Sequence, residues 1–144
     1  MVAATFFSCN GNVVFSEFRE ISSAGWNKDS VYSFNIEIVD TISSYGIDIL
    51  LRNTDDFPRQ NLWLSITRIK DDKIFTDTVN IDISDHYGRW RGRGIGSYFD
   101  NDIIYKENVS FYKSGIYTYQ IRHIMRFDNL PGLKYVGMQI LKEK

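Results

Sequence analysis

Hydrophobic and polar positions alternate along most of this chain with a period of two, the spacing of a strand that buries one face. Between residues 31 and 39, Tyr32, Phe34, Ile36 and Ile38 alternate with Ser33, Asn35 and Glu37. The stretch 62–70 sets Leu62, Leu64 and Ile66 against Trp63, Ser65, Thr67 and Ile69. Asp71-Asp72 then reads as a hairpin turn, and 74–83 returns with Phe75, Val79, Ile81 and Ile83 facing inward. Further strands are expected at 13–18, at 47–52, at 103–111 with Ile103, Tyr105, Val109 and Phe111 on one face, at 116–127 with Tyr117, Tyr119, Ile121, His123 and Met125 together, and at 135–141.

Turn-forming residues separate these runs. Ser22-Ser23-Ala24-Gly25 leads into Trp26, which is expected to plug one end of the core, and 41–46 turns the chain again. Residues 53–61 read as a polar loop in which Pro58 stops any ladder. Phe99-Asp100-Asn101-Asp102 reads as a turn, as do Lys113-Ser114-Gly115 and 128–132. Eight or nine short strands and no convincing helix predict an all-β fold, an antiparallel β-sandwich of jelly-roll-like form. At 144 residues the chain suits one domain. That domain is expected over 13–144, behind a lipoprotein signal remnant and tether at 1–12.

A net charge of −1 argues against a general nucleic-acid binder, which would carry a basic excess. No apolar run is long enough to cross a bilayer as a helix. Membrane attachment has another candidate in Cys9, the single cysteine, which follows the apolar stretch Val2 to Phe7 and the small Ser8. That order resembles the end of a bacterial lipoprotein signal, in which the cysteine sulfur takes a lipid; the competing reading is a free thiol in an N-terminal tail.

The segment from Gly88 to Ser97, G-R-W-R-G-R-G-I-G-S, departs most from ordinary β composition. If it is extended, Gly88, Trp90, Gly92, Gly94 and Gly96 share one face, and Arg89, Arg91, Arg93, Ile95 and Ser97 the other. The bare face suits close approach by backbone or a ring, and the basic face suits a partner's carboxylates or phosphates. A Gly-rich bend with solvated arginines is the plainer alternative. Arg89, Trp90, Arg91 and Arg93 are the candidate partner-binding residues. The glycine spacing matches neither a P-loop nor a dinucleotide fingerprint.

Catalytic and metal motifs are sparse. His86 and His123 sit in different elements without metal spacing, and structural or surface roles are expected for both. No G-x-S-x-G elbow is present. Asp100, Asn101 and Asp102 form a weak acidic motif for Ca²⁺, and turn formation explains them more simply. No metal and no cofactor are expected. Trp63, Trp90, Tyr98, Tyr117 and Tyr119 are the rings to inspect for stacking on a sugar.

Several stretches in order carry a more specific signal: Cys9; Gly25-Trp26 with Asp29; Leu51-Arg52-Asn53, Asp56-Phe57-Pro58 and Asn61-Leu62; Thr76-Asp77-Thr78; Gly88-Arg89-Trp90 with Gly92 to Ser97; Tyr105 to Val109; and Met125-Arg126 with Leu130-Pro131-Gly132 and Val136-Gly137. Together they resemble the GldH family of gliding-motility lipoproteins over essentially the whole chain. The resemblance implies an envelope lipoprotein of gliding and type IX secretion bacteria, anchored in the outer membrane by acyl chains such as palmitate on Cys9. It implies no catalytic activity and an envelope protein partner whose identity it does not give. The alternative is a carbohydrate- or peptidoglycan-binding sandwich module.

Overall fold

The computed structural model describes residues 12–143. Eight long strands carry the fold: β1 (Val13–Glu20), β3 (Tyr32–Ile38), β4 (Tyr45–Thr54), β5 (Asn61–Lys70), β6 (Lys73–Asp82), β8 (Tyr98–Val109), β9 (Gly115–His123) and β11 (Leu133–Lys142). Three short ones, β2 (Trp26–Asn27), β7 (Arg93–Ile95) and β10 (Asn129–Leu130), bring the total to eleven, against the eight or nine expected. The long strands pair antiparallel as nested hairpins, β5 with β6, β4 with β8, β3 with β9 and β1 with β11. Wrapping that ribbon onto itself adds β11 to β4 and β9 to β5. The result is two main sheets, β1-β11-β4-β8-β7 and β3-β9-β5-β6, the strand order of a jelly roll, with β2 and β10 paired as a separate two-stranded ribbon.

Period-two burial builds the core. Phe34, Ile36 and Ile38 meet Ile47, Ile49, Leu51, Leu62, Leu64, Ile66, Ile121, Val136, Met138 and Ile140 between the sheets. Trp26 does plug one end: it is fully buried, lies edge-on to Tyr32 and His123, and donates its indole N–H to the Ser30 carbonyl at 3.0 Å. Fully burying such a ring is worth about 2–3 kcal/mol.

Three expectations are corrected. Phe99 to Asp102 is not a turn but the start of β8, because the reversal falls one step earlier at Gly96-Ser97, where Ile95 pairs with Tyr98 and Gly96 takes φ +62°. Phe75 has inward parity yet is 55% exposed, because β6 is the last strand of its sheet. The strand expected to end at Arg52 runs on to Thr54. The polar loop that follows buries Phe57, whose backbone lies so close to Gly132 (φ +88°) that a Cβ there would overlap it.

Candidate functional site

Apart from Asn12, the expected tether lies outside the described residues, and so does the lipid-attachment candidate Cys9. The Gly-rich segment does not form one extended strip. Gly88 (φ +83°) closes a turn in which Asp85 accepts from the backbone N–H groups of Tyr87 and Arg89 and from the Arg89 guanidinium. Trp90 bridges to Ser84, and only Arg93–Ile95 is strand. The alternating-face reading is therefore corrected. Arg89 pairs with Asp85, Arg91 stands beside Asp82 and His86 at an open recess, and Arg93 lies opposite Asp100. Trp90 is half-buried against Phe99.

The glycines differ in what they do. A Cβ on Gly92 would come within 2.9 Å of the Asp100 carbonyl and the Asn101 amide, so close approach is real there. On Gly94 it would make an ordinary contact with the Phe99 ring at 3.4 Å.

Behind Gly92 lies a polar lock built from residues that sequence reasoning took for a turn, with a weak Ca²⁺ motif as the alternative. Asn101 is buried and donates to Asn53 Oδ1 at 2.9 Å and to the Leu51 and Phe99 carbonyls. Asp100, on the other face, binds Arg52 in a fork at 2.6 and 2.9 Å, and this pairing raises the guanidinium pKa further. Strand alternation thus separates Asn101 from Asp100 and Asp102, and among the described residues no group of three potential ligands converges on a metal position.

Asp102 meets a different neighbour. On the outer face of the five-stranded sheet it hydrogen-bonds Asp48, whose other flank is Gln139. Burial first, then the Asp102 hydrogen bond and charge, push the Asp48 carboxyl up to about 7. Gln139 is buried, and its Oε1 has no hydrogen-bond partner among the described residues.

The histidines take the expected roles. His123 is buried, bonded to the Trp26 carbonyl at 2.9 Å and to the Met125 N–H, and burial lowers its pKa. His86 is exposed and stacks on Tyr87. Of the five rings singled out, Tyr117 and Tyr119 are core, Trp90 and Tyr98 are half-buried, and Trp63 is exposed at 42%. Trp63 lies on the outer face of the four-stranded sheet, where Ser33, Ser65, Thr67, Thr76, Thr78 and Gln120 are uncharged and polar and Arg122 stands opposite Ser65.

A feature missed from the sequence lies where the sandwich opens between β6 and β8. Asp77 spans the opening, accepting from the Tyr105 hydroxyl at 3.0 Å and pairing with Lys106 at 3.4 Å. Burial, then Asp77, raises the Tyr105 pKa, so the phenol stays a donor. On one side of this bridge are two adjoining recesses of about 270 and 300 Å³ that share Arg68 and Phe75, with Tyr119, Val109 and Tyr117 among the walls. On the other side is a recess of about 220 Å³ beside Val79, Ile81 and Ile103. The available signal was the charged residues Arg68 and Asp77 at positions whose parity points inward, among Leu64, Ile66, Phe75 and Val79.

Comparison with known proteins bears on what these features serve. The GldH lipoprotein family model matches residues 13–140. The chain belongs to the GldH lipoprotein family. It is 35% identical to the gliding motility lipoprotein GldH homolog of Christiangramia forsetii, over 95% of this chain and 88% of that one. It is 31% identical to the gliding motility lipoprotein GldH of Flavobacterium johnsoniae, over 97% and 91%. Among solved structures, it is similar to the VP2 subviral particle of infectious bursal disease virus at a TM-score of 0.35 and 13% identity, over 89% of this chain and 30% of that one.

Membership in the GldH family makes this a lipoprotein of gliding motility, associated with the cell envelope. Several of the stretches that carry the GldH resemblance meet in two places. Leu51-Arg52-Asn53, Phe57, Gly92 and Gly132 build the polar lock and the loop beside it. Asp77 and Tyr105-Lys106 build the bridge across the opening.

Proposed function

We propose that this chain is a non-enzymatic outer-membrane lipoprotein, held by acyl chains on Cys9, that docks another envelope protein and serves gliding motility and type IX secretion. The observation that carries the docking reading is the opening between β6 and β8. Its recesses are open to solvent, walled mainly by aromatic and aliphatic side chains, and rimmed by cations, which suits a protein surface held against a partner. Arg89, Trp90, Arg91 and Arg93 are the candidate residues of a second contact with the same kind of partner.

Anchoring is tested by Cys9→Ala in the native host. The protein is expected to leave the membrane fraction while melting at the wild-type temperature. An unmodified Cys9 behind an intact Met1 in the native protein would refute the anchor. Docking is tested by affinity capture of the anchored protein, with a triple Arg89→Gln, Arg91→Gln, Arg93→Gln chain alongside. A partner that this triple chain no longer retains would assign docking to the Gly-rich segment.

A second reading, a glycan-binding module, is favoured by one observation: the polar outer face of Ser, Thr and Gln side chains with Arg122 among them and the exposed Trp63 on it. Saturable binding to a peptidoglycan or glycan array that disappears in Trp63→Ala would establish it.

A further inference from the structure

We propose that the opening between β6 and β8 binds an extended acidic segment of a partner envelope protein, added as a strand along β6; this rests on the docking reading above. β6 ends its sheet, and from Asn101 onward β8 has no strand on its outer edge among the described residues. A strand lying at the edge of a sheet leaves every second residue's N–H and C=O unpaired, which is the template for strand addition.

The side chains beside that edge set the chemistry. Around the recesses stand five cations, Arg68, Lys70, Lys73, Lys106 and Lys113. Among the described residues two carboxylates form ion pairs with them, Asp71 with Lys70 and Lys113, and Asp77 with Lys106. Among the described residues no carboxylate forms an ion pair with Arg68 or Lys73, and Arg68 meets the Tyr119 phenol instead. The excess of positive charge selects an acidic segment and opposes pairing with a second copy of the same edge.

The recesses also set a spacing. One lies beside Phe75 and the other beside Val79, four residues along β6 or about 13 Å at 3.3 Å per residue, with the Asp77 bridge between them. A bound strand would therefore carry apolar side chains four residues apart, a small polar residue between them facing Asp77, and a carboxylate beyond one apolar residue, toward Lys73 and Arg68.

The probe is the fluorescein-labelled peptide Asp-Glu-Val-Thr-Ser-Thr-Val-Glu-Asp, which reads the same in both strand directions. Its fluorescence anisotropy is followed with the full chain in detergent. Saturable binding is expected, at least tenfold weaker when Lys replaces every Asp and Glu, and lost when the Thr amides are N-methylated. Lys73→Glu, an exposed change, and Arg68→Gln with Lys73→Glu are each expected to weaken binding at least tenfold, with melting temperatures measured alongside. Equal binding of the Lys peptide, or unchanged binding to a folded Lys73→Glu chain, would overturn the proposal. So would a failure of the peptide to bind while phosphatidylglycerol–phosphatidylcholine vesicles bind in a Lys73-dependent way. If the peptide fails but affinity capture still yields a specific envelope protein, the docking reading stands and the acidic strand falls.

Discussion

Replacing Asp48 with Asn should make this protein more stable at neutral pH and leave it nearly unchanged in mild acid. In the folded chain burial and Asp102 hold the Asp48 carboxyl at about 7, against 3.8 for the ordinary group. Between those two values the folded state keeps a proton that the unfolded chain has released. Stability therefore falls as pH rises from about 4 and levels off once Asp48 has ionised above about 7. Each tenfold change in proton affinity is worth about 1.36 kcal/mol, so the full rise amounts to about 4 kcal/mol. Asp48 is only half-buried beside an exposed Asp102, so solvent screening reduces this to about 2 kcal/mol. Asn keeps the shape, has no proton to lose, and can pair with both Asp102 and Gln139. The assay is urea unfolding of both chains at pH 4.5 and pH 7.5. The difference between them isolates Asp48 from carboxylates whose pKa values are lowered, such as Asp40, held down first by the Ser43 side chain, which act with the opposite sign. The variant should gain about 2 kcal/mol at pH 7.5 relative to its position at pH 4.5. A difference between the two chains that does not change with pH would refute the reasoning.

The Gly-rich segment gives a paired test: Gly92→Val should cost about 1–3 kcal/mol by overpacking against Asp100 and Asn101, whereas Gly94→Ala should change the melting temperature little. Arg52→Ala leaves the largely buried Asp100 without its forked partner and should cost about 3 kcal/mol in urea unfolding. EDTA should leave the melting temperature nearly unchanged, since an apolar core built between two sheets carries the fold; a large drop would reveal a metal site.

The fold was legible in the sequence wherever one strand face is core and the other is solvent. The runs at Phe34–Ile38 and Leu62–Ile66 alternate without a break, and the inward residues of both are buried as their parity requires, Ser65 alone being covered on the outer side as well. Legibility failed where a strand's polar residues are themselves structural. Asp100-Asn101-Asp102 has the composition of a turn, yet Asn101 is buried because Gly92 leaves room for its amide, a partnership nine residues apart that no local pattern reveals. The arginines of the Gly-rich segment were misassigned to one face because alternation holds only while the chain stays extended, and Gly88 turns it at φ +83°. The opening at β6 and β8 was hidden for another reason. Whether Phe75 is core or rim depends on which strand ends the sheet, which the nested pairing decides.

The central claim, that this envelope lipoprotein works by docking a partner at the opening between β6 and β8, is tested most directly by photocrosslinking in the native envelope. A photoreactive residue at position 75 of the full chain samples the recess, and one at position 118, on the outer face of the same sheet, serves as the control. The account predicts a discrete adduct from position 75, mapping to an acidic stretch of one envelope protein, and none to that protein from position 118. The same adduct from both positions, or none from position 75 in a correctly anchored chain, would contradict it.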